Sequence, residues 1–255
     1  MTFTDAVLLF LAATYAGGMN SVAGGGSFVS FPALVFTGVA PIAANATSTI
    51  ALWPGSVASV GAYRNRIPSG RRLMVPLILV SALGGVFGAT LLLHTPEQTF
   101  LDVIPYLFLA ATLLFAFGKK MTAGLAHLIK KDGNISGPMI AAAALVQLTI
   151  AVYGGFFGGG IGILMLAMFQ MLHMDDIHAM NGLKTLLAAS INGSAVVTFI
   201  LAGIVRWPQA LVMIAGAMLG GYAGAHYAQR IDPRVIRGAV IVVGTAMSVY
   251  FFWKY

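Results

Sequence analysis

Two runs of three glycines interrupt otherwise apolar parts of the chain: Gly24, Gly25 and Gly26, and Gly158, Gly159 and Gly160. Glycines at a break in a helix permit unusual backbone dihedral angles and a close approach of other groups. A helix that starts after such a break points its first N–H groups, which have no partner within the helix, into the gap. These N–H groups and the helix dipole attract anions. Two such helix ends facing each other would hold one small anion.

Polar residues lie near both glycine runs and could complete this anion site. They include Asn20, Ser21, Ser30 and the stretch NATST at 45–49 in the first half and Tyr153 in the second. Hydroxyl and amide groups donate hydrogen bonds to an oxyanion, and they suit a cation less well. The alternative is that the hydroxyl groups of serine and threonine bond to carbonyl groups of their own helix. The predicted binding residues are Ser27, Asn45, Ser48 and Thr49 in the first half of the chain and Asn181, Lys184 and Thr185 in the second.

Lys184 is a basic residue well inside an apolar segment. It could neutralise an anionic substrate or take part in proton coupling. The alternative is that its long side chain extends to the nearby membrane surface. Its counterpart in the first half is Ser48, so the charge would make a paired site asymmetric. No acidic residue lies deep in an apolar segment, which argues against a proton relay or sodium site built from carboxylates.

Other chemistry has weaker support in the sequence. The stretch HMDDIH, His173 to His178, contains residue types that bind metals, but we favour a solvated turn that caps the next helix. The chain has no cysteine, and it has neither a Walker loop nor an HExxH motif. We therefore predict that the protein is not an enzyme and has no cofactor and no metal site.

The composition predicts that these residues lie in a membrane. Of the 255 residues, 59% are hydrophobic and 8% are charged, whereas a soluble domain has about 25% charged residues. Long apolar runs predict spanning helices whose outer surface faces the lipid bilayer. The net charge of +7 comes largely from basic residues in short loops. That pattern indicates membrane topology, and we expect no nucleic-acid partner.

Ten apolar segments can be read from the sequence, and the fold class is therefore an all-α integral membrane protein. Two of them, Ser27 to Val39 and Ile161 to Leu172, are too short to cross a bilayer. Each follows a glycine run, so we predict a broken or re-entrant helical pair at each place. The other segments are Asp5 to Val22, Ile42 to Ala62, Leu73 to Leu93, Phe100 to Phe117, Pro138 to Phe157, His178 to Ala202, Pro208 to Gln229 and Val235 to Trp253.

The second half of the chain repeats features of the first in the same order. The glycine runs match each other, Asn45 matches Asn181, and Thr49 matches Thr185, once a two-residue insertion is allowed. GGVFGA at 84–89 also matches GGYAGA at 220–225, and for this pair we favour close helix packing over a binding role. We predict a duplication with repeats at 1–118 and 137–255, joined by a basic cytoplasmic linker at 119–136.

Loop charge predicts that the two repeats are inverted relative to each other, because short cytoplasmic loops carry excess Lys and Arg. The loop after the third segment has four arginines, from Arg64 to Arg72, but its equivalent in the second half has only Arg206. Basic residues return one loop later, from Arg230 to Arg237. Each repeat would contain one Gly-broken pair plus three spanning helices, as in known transporters. Both termini would then be extracytoplasmic.

The stretches SVAGGGSFVSFPAL and YGGFFGGGIGILMLAMF, each followed by a polar motif such as NATST, resemble the two repeats of the TauE/SafE family of sulfite exporters, also called TSUP. The resemblance covers essentially the whole chain. In the first half, Pro32 follows the glycines, as in the family motif. The second half departs from that motif because it has no proline at the equivalent place.

The resemblance implies a transporter of the bacterial cytoplasmic (inner) membrane that moves small sulfur-containing anions such as sulfite, thiosulfate or organosulfonates. Many family members act as exporters. We therefore expect a secondary transporter that works by alternating access, with the anion held at the paired Gly-broken helix ends. The alternative is a passive channel or uniporter for a small anion or another sulfur compound. The sequence leaves open whether the protein forms a homo-oligomer.

Overall fold

The computed structural model describes residues 1–22, 25–67, 71–128, 137–172, 174, 176–227 and 233–254. These residues form helices and contain no strand, so the predicted all-α membrane fold is confirmed. A short 3₁₀ turn, Arg64–Arg66, follows the third helix. The α-helices are α1 Phe3–Val22, α2 Ser27–Phe36, α3 Pro41–Tyr63, α4 Arg71–His94, α5 Glu97–Leu128, α6 Gly137–Phe156, α7 Ile161–Met171, α8 Ile177–Leu201, α9 Trp207–Tyr227 and α10 Pro233–Lys254.

Four helices are long and apolar enough to cross a membrane, judged by length and composition. They are α4, α5, α6 and α8, and their apolar stretches contain 20 to 24 residues. At 1.5 Å per residue, about 20 residues cross the apolar thickness of a bilayer, which is about 30 Å. The helices α1, α3, α9 and α10 have similar lengths of 20 to 23 residues.

The two helices that follow the glycine runs are short, as predicted. α2 has 10 residues and α7 has 11, so each is only about 15 to 17 Å long. α2 begins at Ser27, directly after Gly26, and α7 begins at Ile161, directly after Gly160. The glycines therefore mark the start of a new helix in both halves, and neither short helix can cross a bilayer alone.

The contacts between helices are reciprocal between the two halves. α1 packs against α9 as α6 packs against α4, and α3 packs against α9 as α8 packs against α4. α3 also packs against α8, and α5 against α10. Suppose that α1 to α5 are matched in order with α6 to α10. The first two contacts then exchange with each other, as do the next two, and the α3–α8 and α5–α10 contacts each correspond to themselves. The duplication stays a prediction, and this pattern supports it.

Glycines allow the helix pairs α1–α9 and α4–α6 to approach closely. A Cβ atom at Gly220 would collide with the main-chain carbonyl of Thr14 in α1. A Cβ atom at Gly84 would lie 2.5 Å from the Cβ of Ala151 in α6. Side chains cannot occupy these places, so the prediction that GGVFGA and GGYAGA serve helix packing is confirmed.

The buried apolar residues form two clusters. The smaller cluster joins α4, α6, α7 and α8 and includes Leu77, Ile150, Met165 and Leu187. The larger cluster joins the remaining helices with the later parts of α4 and α8. Its centre is aromatic: the Phe108 ring of α5 lies 5.3 Å from Phe28 and 5.4 Å from Phe157, measured between ring centroids. The two helix breaks therefore lie close to this aromatic cluster.

The α4–α5 loop and the α8–α9 loop both lie at the end of the structure where α3 begins. The N–H of Ile42, at the start of α3, donates to Oε1 of Glu97 at the start of α5, at 3.1 Å. The hydroxyl of Thr47 accepts from the N–H of Arg206, just before α9, at 3.2 Å. The α8–α9 loop therefore lies at the opposite end of α3 from its sequence equivalent, the α3–α4 loop. This arrangement supports the prediction of inverted repeats.

Both ends of the chain lie at this same end of the structure. α1 runs parallel to α9, since Gly216 lies against Phe10 and Gly220 against Thr14. α10 runs antiparallel to α5, since a Cβ at Gly244 would collide with the hydroxyl of Thr112 and, further along α10, the Phe252 ring lies 5.0 Å from Tyr106, nearer the start of α5. α1 therefore begins, and α10 ends, near the starts of α5 and α9.

Candidate functional site

The first helix break is closed by a side chain of α1. Gly25 has a φ of +88°, in the left-handed region that glycine adopts readily. The N–H of Gly26 donates to Oδ1 of Asn20 at 2.9 Å. A Cβ at Gly25 would lie 3.2 Å from both Phe115 and Val240, so apolar groups pack closely around this break. Gly24 of the predicted site lies outside the described residues.

The N–H groups at the start of α2 are less available than the sequence predicts. The N–H of Phe28 donates to the carbonyl of Gly25 at 3.0 Å, and that of Val29 donates to Gly26 at 3.0 Å. These bonds form a tight first turn that satisfies both donors within the chain. Ser27, the first residue of α2, is partly buried. The first break therefore offers an anion fewer free donors than expected.

Ser48 is bonded to α2 through a serine that the predicted site does not include. The hydroxyl of Ser30 donates to the carbonyl of Gly26 at 3.1 Å, and the two hydroxyls of Ser30 and Ser48 lie 2.6 Å apart. Both serines are fully buried. Either hydroxyl can be the donor in the bond between the two serines. These bonds join α3 to the start of α2.

The polar motif at the start of α3 contacts the second half of the chain. Nδ2 of Asn45 donates to the carbonyl of Phe156, the last residue of α6, at 3.0 Å. Thr47, a polar candidate outside the predicted set of binding residues, accepts from Arg206 and is fully buried. The hydroxyl of Thr49 donates to the carbonyl of Asn45 in its own helix at 2.9 Å. The alternative reading, in which hydroxyls bond to their own helix, thus holds for Thr49.

The second break has two glycines in the left-handed region. Gly158 has a φ of +83° and Gly160, which caps the start of α7, has a φ of +78°. The hydroxyl of Tyr153 donates to the carbonyl of Gly159 at 2.7 Å. Each break is therefore closed by one side chain from the preceding helix, Asn20 in the first half and Tyr153 in the second.

Lys184 lies against the first turn of α7. Its ammonium group donates to Oδ1 of Asn181 at 2.8 Å, and no carboxylate among the described residues pairs with it. A Cβ at Gly162 would lie only 3.2 Å from Cδ of Lys184, so the lysine stem crosses α7 two residues after Gly160. The hydroxyl of Thr185 donates to the carbonyl of Asn181 at 2.8 Å. The ammonium group and the start of α7 are thus neighbours.

The equivalent positions Ser48 and Lys184 have equivalent places in the structure. Ser48 contacts the first turns of α2 through Ser30, and Lys184 contacts the first turn of α7 at Gly162. In the first half the contact is neutral and fully hydrogen-bonded. In the second half it brings a positive charge to the start of a helix. The candidate anion site is therefore asymmetric, as the sequence predicts.

The HMDDIH stretch behaves as a helix cap at its described residues. The carboxylate of Asp176 accepts a hydrogen bond from the N–H of His178 at 2.8 Å and caps α8. His173 and Asp175 lie outside the described residues. Among the residues that the structure describes, no group of three metal-binding side chains comes together.

Comparison with known proteins assigns the chain to a family. A family model described as "Sulfite exporter TauE/SafE" matches residues 9–251. The chain belongs to the TauE/SafE family. The match covers both glycine runs and both polar motifs, so the resemblance of the chain to this family is confirmed.

Several relatives of this TauE/SafE protein match along nearly all of its length. The probable membrane transporter protein ORF9 of Sinorhizobium sp is 27% identical over 98% of this chain and 93% of its own. A probable membrane transporter protein of Haemophilus influenzae is 30% identical over 95% and 94%, respectively. The probable membrane transporter protein YfcA of Escherichia coli K12 is 27% identical over 94% and 87%. No solved structure matches the chain.

The family and the names of these relatives support one coarse function for the TauE/SafE protein. It is a membrane transporter.

Proposed function

We propose that this TauE/SafE protein is a secondary transporter of small sulfur-containing anions such as sulfite, thiosulfate or organosulfonates. It exports them across the bacterial inner membrane by alternating access. The observation that carries the proposal is the position of Lys184 beside the first turn of α7. A lysine ammonium and a helix start both attract negative charge, and here they lie together.

The electrostatics of this place favour an anion over a cation. The partner of Lys184 is the neutral amide of Asn181, which orients the ammonium group without cancelling its charge. A charge at membrane depth without a counter-ion is costly and usually marks a substrate path. A small oxyanion would supply the missing negative charge. Its binding would be reversible because only one fixed charge holds it.

The first break offers few free donors, because its N–H groups and hydroxyls are already paired through Asn20, Ser30 and Ser48. At the second break the N–H of Ile163 is likewise paired, with the carbonyl of Gly160 at 3.0 Å, so the charge of Lys184 is the main attraction for an anion there. Asn45 from the same half reaches the end of α6, directly before the second break. In the proposed transporter both halves therefore border the anion, and the charge comes from the second half.

The distribution of basic residues supports the proposed orientation. At one end of the structure, α3 and α5 finish and α4 and α10 begin. The basic residues at this end are Arg64, Arg66, Arg71, Arg72, Lys119, Lys120, Arg234 and Arg237. The opposite end holds Arg206 and Lys254. Because cytoplasmic ends carry excess Lys and Arg, we assign the first end to the cytoplasm. Both termini are then extracytoplasmic.

A flux screen in proteoliposomes tests the proposed function. The purified protein would be offered sulfite, thiosulfate, sulfate, sulfonates and sulfide, with and without a pH gradient, beside protein-free liposomes. Saturable flux of a sulfur anion that accumulates against its gradient is the expected result. Saturable flux that only dissipates a gradient would favour the passive channel or uniporter instead. If none of these compounds shows saturable flux, the sulfur-anion proposal is wrong.

A further inference from the structure

The fourth helix of each repeat packs on the helices of the other repeat. α4 contacts α6 and α8, and among the described residues it makes no comparable contact with α1, α2 or α3. α9 contacts α1 and α3, and likewise makes none with α6, α7 or α8. Each repeat therefore gives its fourth helix to the other repeat.

This exchange defines two four-helix bundles. The N-bundle consists of α1, α2, α3 and α9, and the C-bundle consists of α6, α7, α8 and α4. Inside both bundles, glycines bring main chains together: Gly220 of α9 meets the Thr14 carbonyl, and a Cβ at Gly84 of α4 would lie 3.0 Å from the carbonyl of Leu148 in α6. Such contacts cannot slide without opening voids, because protein interiors are closely packed.

Hydrogen bonds to buried side chains join the exchanged helices to their new bundles. In the N-bundle, the buried hydroxyl of Thr47 in α3 accepts from the N–H of Arg206, directly before α9. In the C-bundle, Nε2 of Gln147 in α6 donates to the hydroxyl of Ser81 in α4 at 2.8 Å, and both residues are fully buried. Breaking either bond would leave a buried polar group without its partner, which is costly.

The two bundles meet where α3 packs against α8. Two hydrogen bonds between the bundles have side-chain donors: Asn45 of the N-bundle donates to the carbonyl of Phe156 in the C-bundle, and the indole N–H of Trp53 donates to the carbonyl of Ala189 at 3.1 Å. Such bonds can be broken and remade by rotation about χ angles. The bundles can therefore turn about the crossing of α3 and α8 while each keeps its own exchanged helix.

We propose that the N-bundle and the C-bundle each unfold and move as one unit. The sequence repeats 1–118 and 137–255 are then not the units that move. Lys184 belongs to the C-bundle, and Asn45 and Ser48 belong to the N-bundle. A solute that passes between the moving units would therefore meet residues of both bundles. The inference does not depend on which solute the protein carries. Failure of the inference would therefore leave the proposed function untouched, and the reverse also holds.

Hydrogen exchange measured by mass spectrometry on the full chain in lipid nanodiscs tests this inference. Gly84→Ala and Gly220→Ala change equivalent positions in α4 and α9. An overpacked contact should raise local opening by roughly fivefold or more. We expect Gly84→Ala to raise exchange in α6, α7 and α8 but not in α1, α2 and α3. We expect Gly220→Ala to do the reverse.

A rescue and a control keep this test specific. The Cβ at position 84 would lie closest to the Cβ of Ala151, so Ala151→Gly should restore slow exchange in part in the Gly84→Ala protein, because the carbonyl of Leu148 would still lie 3.0 Å from the new methyl group. Gly61→Ala is the control, because open space surrounds that position in α3. If Gly84→Ala does not fold, Ser81→Ala weakens the same interface more gently. Faster exchange in α1, α2 and α3 after a change in α4, or no spread beyond α4, would overturn the inference.

Discussion

Trp53 donates its indole N–H to the carbonyl of Ala189, the residue at its own equivalent position in the second half. Gly193, one turn later in α8, leaves room for the ring: a Cβ there would lie 3.1 Å from Nε1 of Trp53. Contact between equivalent positions is expected where a twofold axis relates two halves. The crossing of α3 and α8 is thus the natural place for the two bundles to turn against each other.

The contact between Trp53 and Gly193 can be measured with a double-mutant cycle. We expect Gly193→Ala alone to destabilise the protein by about 1 to 3 kcal/mol, because the methyl group crowds the indole. We expect Trp53→Phe alone to cost about 1 kcal/mol or more, because a hydrogen bond and packing are lost. Since the smaller ring makes room for the methyl group, the double variant should lose less than the sum. Thermal unfolding in detergent measures this, and additive losses would contradict the contact.

Lys184→Gln tests the charge at the proposed anion site. A hydrogen bond to a charged group contributes about 1.5 to 3 kcal/mol, so its loss should lower transport at low substrate concentration by about ten- to a hundredfold. Lys184→Arg keeps the charge and should retain more transport than Lys184→Gln. Lys254→Gln, at the end of α10, removes the same charge elsewhere and should have little effect. Equal transport by all three variants in proteoliposomes would remove Lys184 from the anion site.

Gly160→Ala separates the role of the second break from ordinary backbone strain. A non-glycine residue at a positive φ costs about 1 to 2 kcal/mol, and the φ of Gly160 is +78°. Gly38 has a φ of +79° and open space around it, so Gly38→Ala imposes the same strain away from both breaks. Both variants should lose similar thermal stability. Only Gly160→Ala should also lose transport, and a similar loss in Gly38→Ala would mean that strain alone explains the effect.

Length and composition are sufficient to predict most of the helices and both breaks, but not the end of α5, which runs to Leu128 instead of the predicted Phe117. The short helices α2 and α7 begin at Ser27 and Ile161, as the sequence indicates, because glycine runs and apolar length leave few alternatives. The small-residue motifs GGVFGA and GGYAGA also predict close packing. They do not show which helix is the partner, because the two motifs are alike and fit any small-residue surface. The exchange of α4 and α9 therefore becomes visible only in the structure.

The contacts that close the breaks could not be predicted for a different reason. Asn20 and Tyr153 bond to the main-chain N–H of Gly26 and the main-chain carbonyl of Gly159. Every residue other than proline carries both groups, so the sequence gives no signal for the partner. The same holds for Asn45, which binds the carbonyl of Phe156. The polar residues were recognisable as candidates, but their partners required the fold.

The proposed orientation predicts the sidedness of both chain ends. Two reporters would be fused after Tyr255. A reporter enzyme that works only outside the cytoplasm should be active there, and a protein that fluoresces only in the cytoplasm should be dark. The same pair fused within the basic segment 129–136 should give the opposite result. The physical reason is the excess of Lys and Arg at the assigned cytoplasmic end. Matching signals at both sites would contradict the odd number of crossings between them.

Cross-linking tests whether the bundles move during transport. The chain has no cysteine, so introduced pairs are its only thiols. Phe31→Cys with Phe157→Cys joins α2 of the N-bundle to the residue that directly follows α6 of the C-bundle, at rings whose centroids are 6.4 Å apart. Ser81→Cys with Gln147→Cys joins α4 to α6 within the C-bundle, where the side chains are hydrogen-bonded. A short, reducible reagent that links two thiols would be applied to both variants.

We expect the link between the bundles to lower transport by about tenfold or more, because closing one side requires the bundles to move apart on the other. Reduction of the reagent should restore transport, which shows that the substitutions themselves are tolerated. The link within the C-bundle should leave transport nearly unchanged, since α4 and α6 move together. If the sequence repeats were the moving units, this second link would join them and stop transport as effectively as the first.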